Sequence, residues 1–440
     1  MRDNRKARQW LCAGYAALLI GLGVISAWRA IEGRFDFHHF YIDARYVWEH
    51  GALNPEVAQP ATEETRNLPF YLPVVPLVLS PLTALGRWPA ALAWSVAQMA
   101  ALAYSVTVLA RWVAAKRQAG ADDSPPQPVT NKEESVSVAL IVAVLLALYP
   151  LYEAARFNQI SYFVLAFILG GASALDRGRP RTAGLIFGVA TVVKLLPGIF
   201  VLWLLLKRRW SAAMVSAGTV VILTLVPPLL AFGPARTLAY HREWFDYNVR
   251  GDAGGGMLRT DLPDHFIDRR NQSITQVLAR WTWPEHPFRL GWQPVQFTAE
   301  TCKRMGDGIT GVLLLALLFC TRRSWRQISL DRRHAEIAAY AIAMFALSPL
   351  VRQYYLVWAL PGVVMLAGWA LGHGESVGSW RRIVGRMGLV VWIVGMALCA
   401  CPPARVAGAH LLMLLVLGAL LLLGEARSRN SVASITPAPT

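Results

Sequence analysis

The amino-acid sequence predicts an all-α, polytopic transmembrane protein of about ten spans, supplemented by re-entrant half-helices. Three observations carry this. Of 440 residues, 55% are hydrophobic and 16% charged, whereas a soluble globular chain carries about 25% charged residues. The apolar residues fall into runs, several longer than the roughly 18 residues that mark a spanning helix. Many of the 17 tryptophans stand at the ends of those runs, where an amphipathic ring anchors at the membrane interface.

The net charge of +16 would point to nucleic acid in a soluble chain. Here Lys and Arg cluster in short segments between apolar runs, as the positive-inside rule requires, so no nucleic-acid partner is expected. Cys12, Cys302, Cys320, Cys399 and Cys401 lie mostly within or beside apolar runs and show no metal-ligand spacing. They read as small apolar residues, and neither a metal nor a cofactor is expected. The run at 10–27 follows the basic stretch RDNRKAR and ends in no clean A-x-A site. It reads as a retained first helix and not as a cleaved signal.

Basic residues set the orientation. Arg2, Arg5, Lys6 and Arg8 place the N-terminus in the cytoplasm. The first helix then delivers residues 32–87 to the opposite side. Within them, 69–86 contains Pro73, Pro76 and Pro81, too many prolines for a regular span. It reads as a re-entrant or surface-lying segment. Residues 88–112 cross inward, 114–135 form a cytoplasmic linker, 136–151 cross out and 160–175 cross back. Residues 182–206 are flanked by RGRPR and KRRW, both cytoplasmic in character. A hairpin of two half-helices with Lys194 near its tip satisfies both flanks. An ordinary kinked span is the plainer reading. Residues 211–232 cross out, 233–303 form the second outer loop, and five further runs complete the bundle. The chain thus reads as one membrane domain, 1–425, with a disordered cytoplasmic tail at 426–440.

Four groups could carry chemistry. Asp36 stands just beyond the first helix among aromatics, and Asp43 follows two helical turns later. On an amphipathic helix both share one face. An acid held in an aromatic setting can have a raised pKa and act as a general base; a solvated loop acid is the bland alternative. Lys194 is an ionisable residue at mid-membrane, which costs on the order of 3 kcal/mol on insertion scales. It could hold a lipid phosphate or snorkel to headgroups. Arg352 and Gln353 sit at an outer helix boundary beside Tyr354, Tyr355 and Trp358. Arginine grips phosphate bidentately, although a belt position against headgroups explains it equally. The long outer loop carries Gly254–Gly255–Gly256 and the formal sequon Asn271–Gln272–Ser273, the latter relevant only in a glycosylating host. His38 and His39 are adjacent and make a poor metal pair.

The order of these features resembles glycosyltransferase family 87, a branch of the GT-C class of membrane glycosyltransferases that use polyprenyl-phosphate sugars. The resemblance rests on Asp36–Phe37 and Tyr41–Ile42–Asp43–Ala44 after helix one, then on FYLPVVPLVLSPL. Asn158–Gln159 follows, then Gly184, Gly188, Lys194 and Pro197 closing on KRRW, then Asn271–Gln272–Ser273 and Ser348–Pro349. The family often has Gly where Asn158 stands, and Trp and His where this chain has Arg352, Gln353 and Tyr354. The resemblance implies a GT-C-like fold and a hexosyltransferase of α-mannosyltransferase type. It implies a polyprenyl-phosphate sugar donor, a lipid or glycan acceptor, and a bacterial plasma membrane. Asp36 is then the expected catalytic base, with Asp43, Gln159, Lys194, Arg352 and Tyr354 binding substrate. A transporter or flippase of lipid-linked sugars is the first rival, since broken helices and a mid-membrane lysine suit transport too. A non-catalytic assembly subunit is the second.

Overall fold

The computed structural model describes residues 2–33, 36–53, 71–115, 130–246, 270–372 and 378–426. Most of the linker at 114–135, the Gly254–Gly256 run and the tail beyond residue 426 lie outside them. Every regular element among the described residues is helical. The first half comprises α1 (Arg2–Ile31), α2 (Asp36–His50), α3 (Val74–Thr83), α4 (Arg87–Ala115), α5 (Thr130–Leu146), α6 (Leu148–Arg156), α7 (Ser161–Asp176), α8 (Pro180–Val193) and α9 (Ile199–Leu206). The second half comprises α10 (Trp210–Phe232), α11 (Pro234–Phe245), α12 (Ile274–Thr282), α13 (Ala299–Cys320), α14 (Leu330–Ala346), α15 (Leu360–Ala370), α16 (Ser379–Ala400), α17 (Pro402–Val406) and α18 (Ala409–Ala426).

Four helices among the described residues are long and apolar enough to cross a membrane: Ala13–Ile31, Arg87–Val113, Trp210–Phe232 and Ser379–Ala400. The expected span at 136–151 is not straight. It divides into α5 and α6, bent by 53°. Pro150 offers no N–H to the carbonyl of Leu146 and its ring crowds that carbonyl, so the helix breaks one turn before the proline. Length and composition thus support four spans, or five with the bent pair, of the ten expected. The Pro-rich segment at 69–86 forms only the ten-residue α3, packed on α2 and too short to cross.

The flanking-charge conflict at 182–206 is resolved by a fold-back. Lys194 leaves the helical region, with φ −152° and ψ 129°, and Pro197 has no N–H with which to continue the ladder. The chain then returns as a 3-10 turn, Leu196–Gly198, and α9. Phe187 on α8 stacks on Phe200 on α9 with ring centroids 5.0 Å apart, which pairs the two limbs about Lys194. The outer limb packs tightly on α10: a Cβ at Gly188 would come within 2.6 Å of Thr219 Cβ.

The root of the hairpin is locked at one end of the bundle. Lys207 pairs with Glu336, and both side chains are almost wholly buried. Lys207 Nζ also donates to the carbonyls of Thr321 and Arg323. Glu336 further accepts from Trp203 Nε1 at 3.0 Å and Arg332 Nε at 2.9 Å. At the same end His334 meets Asp176 at 2.9 Å and stacks on Trp112 at 4.0 Å. These ties bring the ends of α4, α7, α9 and α13 together at the start of α14. The start of α7 and the tip of the hairpin therefore lie at the opposite end.

Candidate active site

At that opposite end α2 begins with Asp36. Its backbone N–H donates to the carbonyl of Phe157 at 3.3 Å, and its carboxylate accepts from Gln159 Nε2. Gln159 is held in turn by buried polar groups inside the apolar helices. Gln98 Nε2 donates to the Gln159 carbonyl at 3.0 Å. The Ser26 hydroxyl lies 3.0 Å from Gln98 Oε1, 2.7 Å from Asn158 Oδ1 and 2.9 Å from Ser95 Oγ. Ser26, Ser95, Gln98 and Asn158 are all buried. Such groups carry a desolvation cost unless bonded, so this network fixes how α1, α4 and the 158–159 turn meet. It thereby fixes where Gln159 presents its amide to Asp36.

Asn158 has φ +55°, a left-handed conformation that Gly adopts freely and Asn tolerates. This is the position at which the sequence carries Asn in place of the Gly common in the family it resembles. Asn158→Gly should keep the turn and lose only the Ser26 contact, at about 0.5–1.5 kcal/mol. Asn158→Val should add a further 1–2 kcal/mol, approximately, for a β-carbon in the left-handed region. Thermal melts of the two purified variants check the order, and equal melting temperatures would contradict it.

Lys194 reaches the same place from the hairpin tip. Its Nζ donates to Tyr355 Oη at 2.7 Å and lies 3.9 Å from the Tyr355 ring centroid. Tyr355 stacks on Trp358 at 4.6 Å, and Trp358 Nε1 donates to the Ser161 carbonyl at 3.1 Å. This aromatic floor is buried and holds the ammonium by cation–π attraction. Tyr354 stands between Phe157 and Tyr355, with ring centroids at 5.2 and 4.7 Å. Its hydroxyl is near enough to Asp36 and Arg352 that their charges act on it.

Arg352 is presented by a brace built from the Asn271–Gln272–Ser273 motif. Asn271 Oδ1 accepts from the N–H groups of Ser273 and Val351, each at 3.0 Å. Gln272 N–H donates to the Val351 carbonyl at 3.0 Å, and Arg280 Nη1 donates to the Asn271 carbonyl at 2.8 Å. Asn271 is fully buried, so in the folded chain it is a structural residue and not an exposed sequon.

Burial pushes the Asp36 carboxyl up to about 7, against the pull of the Lys194 and Arg352 charges that act on it. Asp36 taken as a whole residue is half-buried at the start of α2. Asp36, Gln159, Lys194, Arg352 and Tyr354 thus share one site. Asp43 does not join them. It is a half-buried acid on α2, pushed up to about 7 by burial, with no bonded partner among the described residues. Sequence reading missed Ser26, Ser95 and Gln98. The available signal was a polar residue in the interior of an otherwise apolar run.

Fold and site together define a class: an integral-membrane, helical enzyme whose ionisable groups gather at one end of the bundle. The family model described as Glycosyltransferase family 87 matches residues 70–349, and the chain belongs to that family. It is a membrane glycosyltransferase, which decides against the transporter and assembly-subunit readings. The chain is 24% identical to a polyprenol-phosphate-mannose-dependent alpha-(1-2)-phosphatidylinositol mannoside mannosyltransferase of Mycobacterium tuberculosis, covering 89% of each protein. A protein of the same description from Mycolicibacterium smegmatis is 25% identical, covering 80% of this chain and 72% of its own. Among solved structures, ArnT from Cupriavidus metallidurans bound to undecaprenyl phosphate aligns with 96% of this chain and 79% of its own, at 17% identity and a TM-score of 0.37.

Proposed function

We propose that the protein transfers a hexose, mannose in this reading, from a polyprenyl-phosphate donor to a hydroxyl of a lipid or glycan acceptor. The reaction takes place on the non-cytoplasmic face of a bacterial plasma membrane, with loops 32–87 and 233–303 outside, residues 1–425 acting as one domain and the tail 426–440 in the cytoplasm. The relatives named for polyprenol-phosphate-mannose dependence support the donor. The observation that carries the site is the convergence of one carboxylate with two cations from distant segments.

In this mechanism ionised Asp36 takes the acceptor hydroxyl proton while the acceptor oxygen attacks the anomeric carbon. The bond from that carbon to the phosphate oxygen breaks, its electron pair stays on the phosphate, and the centre inverts. Lys194 and Arg352 stabilise the phosphate as charge develops on it. Gln159 donates to Asp36 and orients the carboxylate, and Tyr354 walls the sugar. Asp43, on the same helix, binds the substrate further out. The leaving phosphate is already a stable anion, so no general acid is needed.

Assaying purified protein with a panel of radiolabelled polyprenyl-phosphate sugars tests the reading; no transfer from any of them would end it. A finer test concerns the lysine. Lys194→Met keeps length and apolar packing and removes the charge. It should weaken donor binding by about ten- to a hundredfold with the melting temperature unchanged or higher, and Lys194→Arg should keep part of the affinity. Unaltered donor affinity in Lys194→Met would make the lysine a structural residue.

A further inference from the structure

The end of the bundle opposite Asp36 carries a pair of stacked arginines that the fold leaves without counter-ions. Trp325, in the loop between α13 and α14, is buried. Its backbone N–H donates to the Lys207 carbonyl at 3.2 Å, which fastens it to the root of the hairpin. Two guanidiniums from different segments lie over its ring. The central carbon of Arg209, the residue before α10, is 5.1 Å from the ring centroid, and that of Arg333, on α14, is 4.1 Å from it. Arg333 Nη2 also donates to the Trp325 carbonyl at 3.1 Å. Stacking on a buried indole orients each guanidinium before any ligand arrives.

The acids of this end are engaged elsewhere. Glu336 is held by Lys207 and Arg332, Asp176 by His334, and Asp331 and Glu425 by Arg381. Among the described residues no carboxylate pairs with Arg209, with Arg333 or with the exposed Arg326, whose charge acts on Arg209. Both terminal nitrogens of Arg209 and Nη1 of Arg333 make no hydrogen bond among the described residues, and they are not buried. Oriented N–H donors, like charges gathered together and no counter-ion form an arrangement that an oxyanion relieves. Its depth follows from the fold. Arg209 is the N-cap residue of α10, a helix long and apolar enough to cross a membrane, so the cluster stands at headgroup level. Trp210, the next residue, is 59% exposed, as suits an interfacial anchor.

We infer that Arg209 and Arg333, stacked on Trp325, bind one anionic phospholipid of the adjoining leaflet, with its phosphate against the open guanidinium nitrogens and its acyl chains beside Trp210. The basic flanks assign this end to the cytoplasm, where basic pockets between spanning helices take anionic headgroups. The position at the end of a span, next to an exposed indole, suits a lipid and not a free aqueous anion. A lipid held there bridges the 207–210 turn and the Trp325 loop, and so steadies the root of the hairpin from outside. The site lies at the far end of the bundle from Asp36, and the inference is independent of the transfer reading.

Full-length protein in neutral-detergent micelles doped with phosphatidylglycerol or phosphatidylcholine tests this, with retained lipid counted by native mass spectrometry. Phosphatidylglycerol should be retained on the order of tenfold better. Arg209→Gln combined with Arg333→Gln should erase that preference. Arg179→Gln combined with Arg181→Gln removes the same charge from exposed positions at the same end and should leave the preference in place. Phosphatidylglycerol should also raise the melting temperature of wild type and of the Arg179–Arg181 pair, and not that of the Arg209–Arg333 pair. Equal loss of preference in the two pairs would reduce the site to general attraction between a basic face and an anionic membrane and so overturn it. Displacement of the lipid by inorganic phosphate would overturn it too. Should the Arg209–Arg333 pair fail to fold, Arg209→Gln alone, which leaves the Arg333 bond to the Trp325 carbonyl intact, decides on the same two readouts.

Discussion

Asp36→Asn is expected to lower sugar transfer by about 10²- to 10⁴-fold, the usual worth of a general base, while leaving the melting temperature nearly unchanged. Asn keeps the shape of the side chain and can still accept from Gln159 through its oxygen, so the fold loses little. What it cannot do is take a proton. The pH profile adds an independent check. Burial holds the Asp36 carboxyl at about 7, and only its ionised form is a base. Transfer should therefore rise with pH through about 7 and fall away below it, and Asp36→Asn should flatten that limb. A variant keeping more than about a tenth of the wild-type rate would show that Asp36 is not the base, and Asp43 would be tested next.

The largest expected effect on the fold lies at the other end of the bundle. Glu336 is completely buried and accepts from Lys207, Arg332 and Trp203. Removing a buried partner leaves uncompensated charge and costs about 3–5 kcal/mol, and Glu336→Leu strands two cations and an indole at once. Lys207→Met should cost less, because Arg332 and Trp203 still satisfy the glutamate. Thermal unfolding in detergent should place Glu336→Leu below Lys207→Met and both below wild type. The reverse order would mean that the lysine, not the carboxylate, organises the junction.

Much of the fold was legible because the bilayer allows few solutions. Apolar run length predicted an all-helical membrane bundle but about ten spans, against four, or five with the bent pair, among the described residues; proline content separated α3 from them. Charges flanking 182–206 led to the hairpin before any contact was known. Asp36 and Lys194 were visible as ionisable residues in places that penalise them. What was not legible depends on partners far apart in the chain. Nothing local marks Gln98 as the support of Gln159, or Lys207 as the partner of Glu336. The sequence motif at Asn271–Gln272–Ser273 was visible, but its work as a brace for Val351 and Arg352 emerges only from the packing of α12 against the 349–352 segment. The break at Ala147 was missed because 136–151 was read as one straight crossing, with Pro150 inside it left unweighed.

The 14 residues of α8 rise about 21 Å, while a typical hydrocarbon core is about 30 Å thick. A strut of that length is shorter than the core is thick, so a root fixed at one interface would leave Lys194 beneath the opposite headgroups and not level with them. On the proposed donor role of Lys194, bilayer thickness would then be a parameter of the reaction: it would set how far a membrane-borne substrate must sink to meet the ammonium, and a thinner membrane would bring the two together.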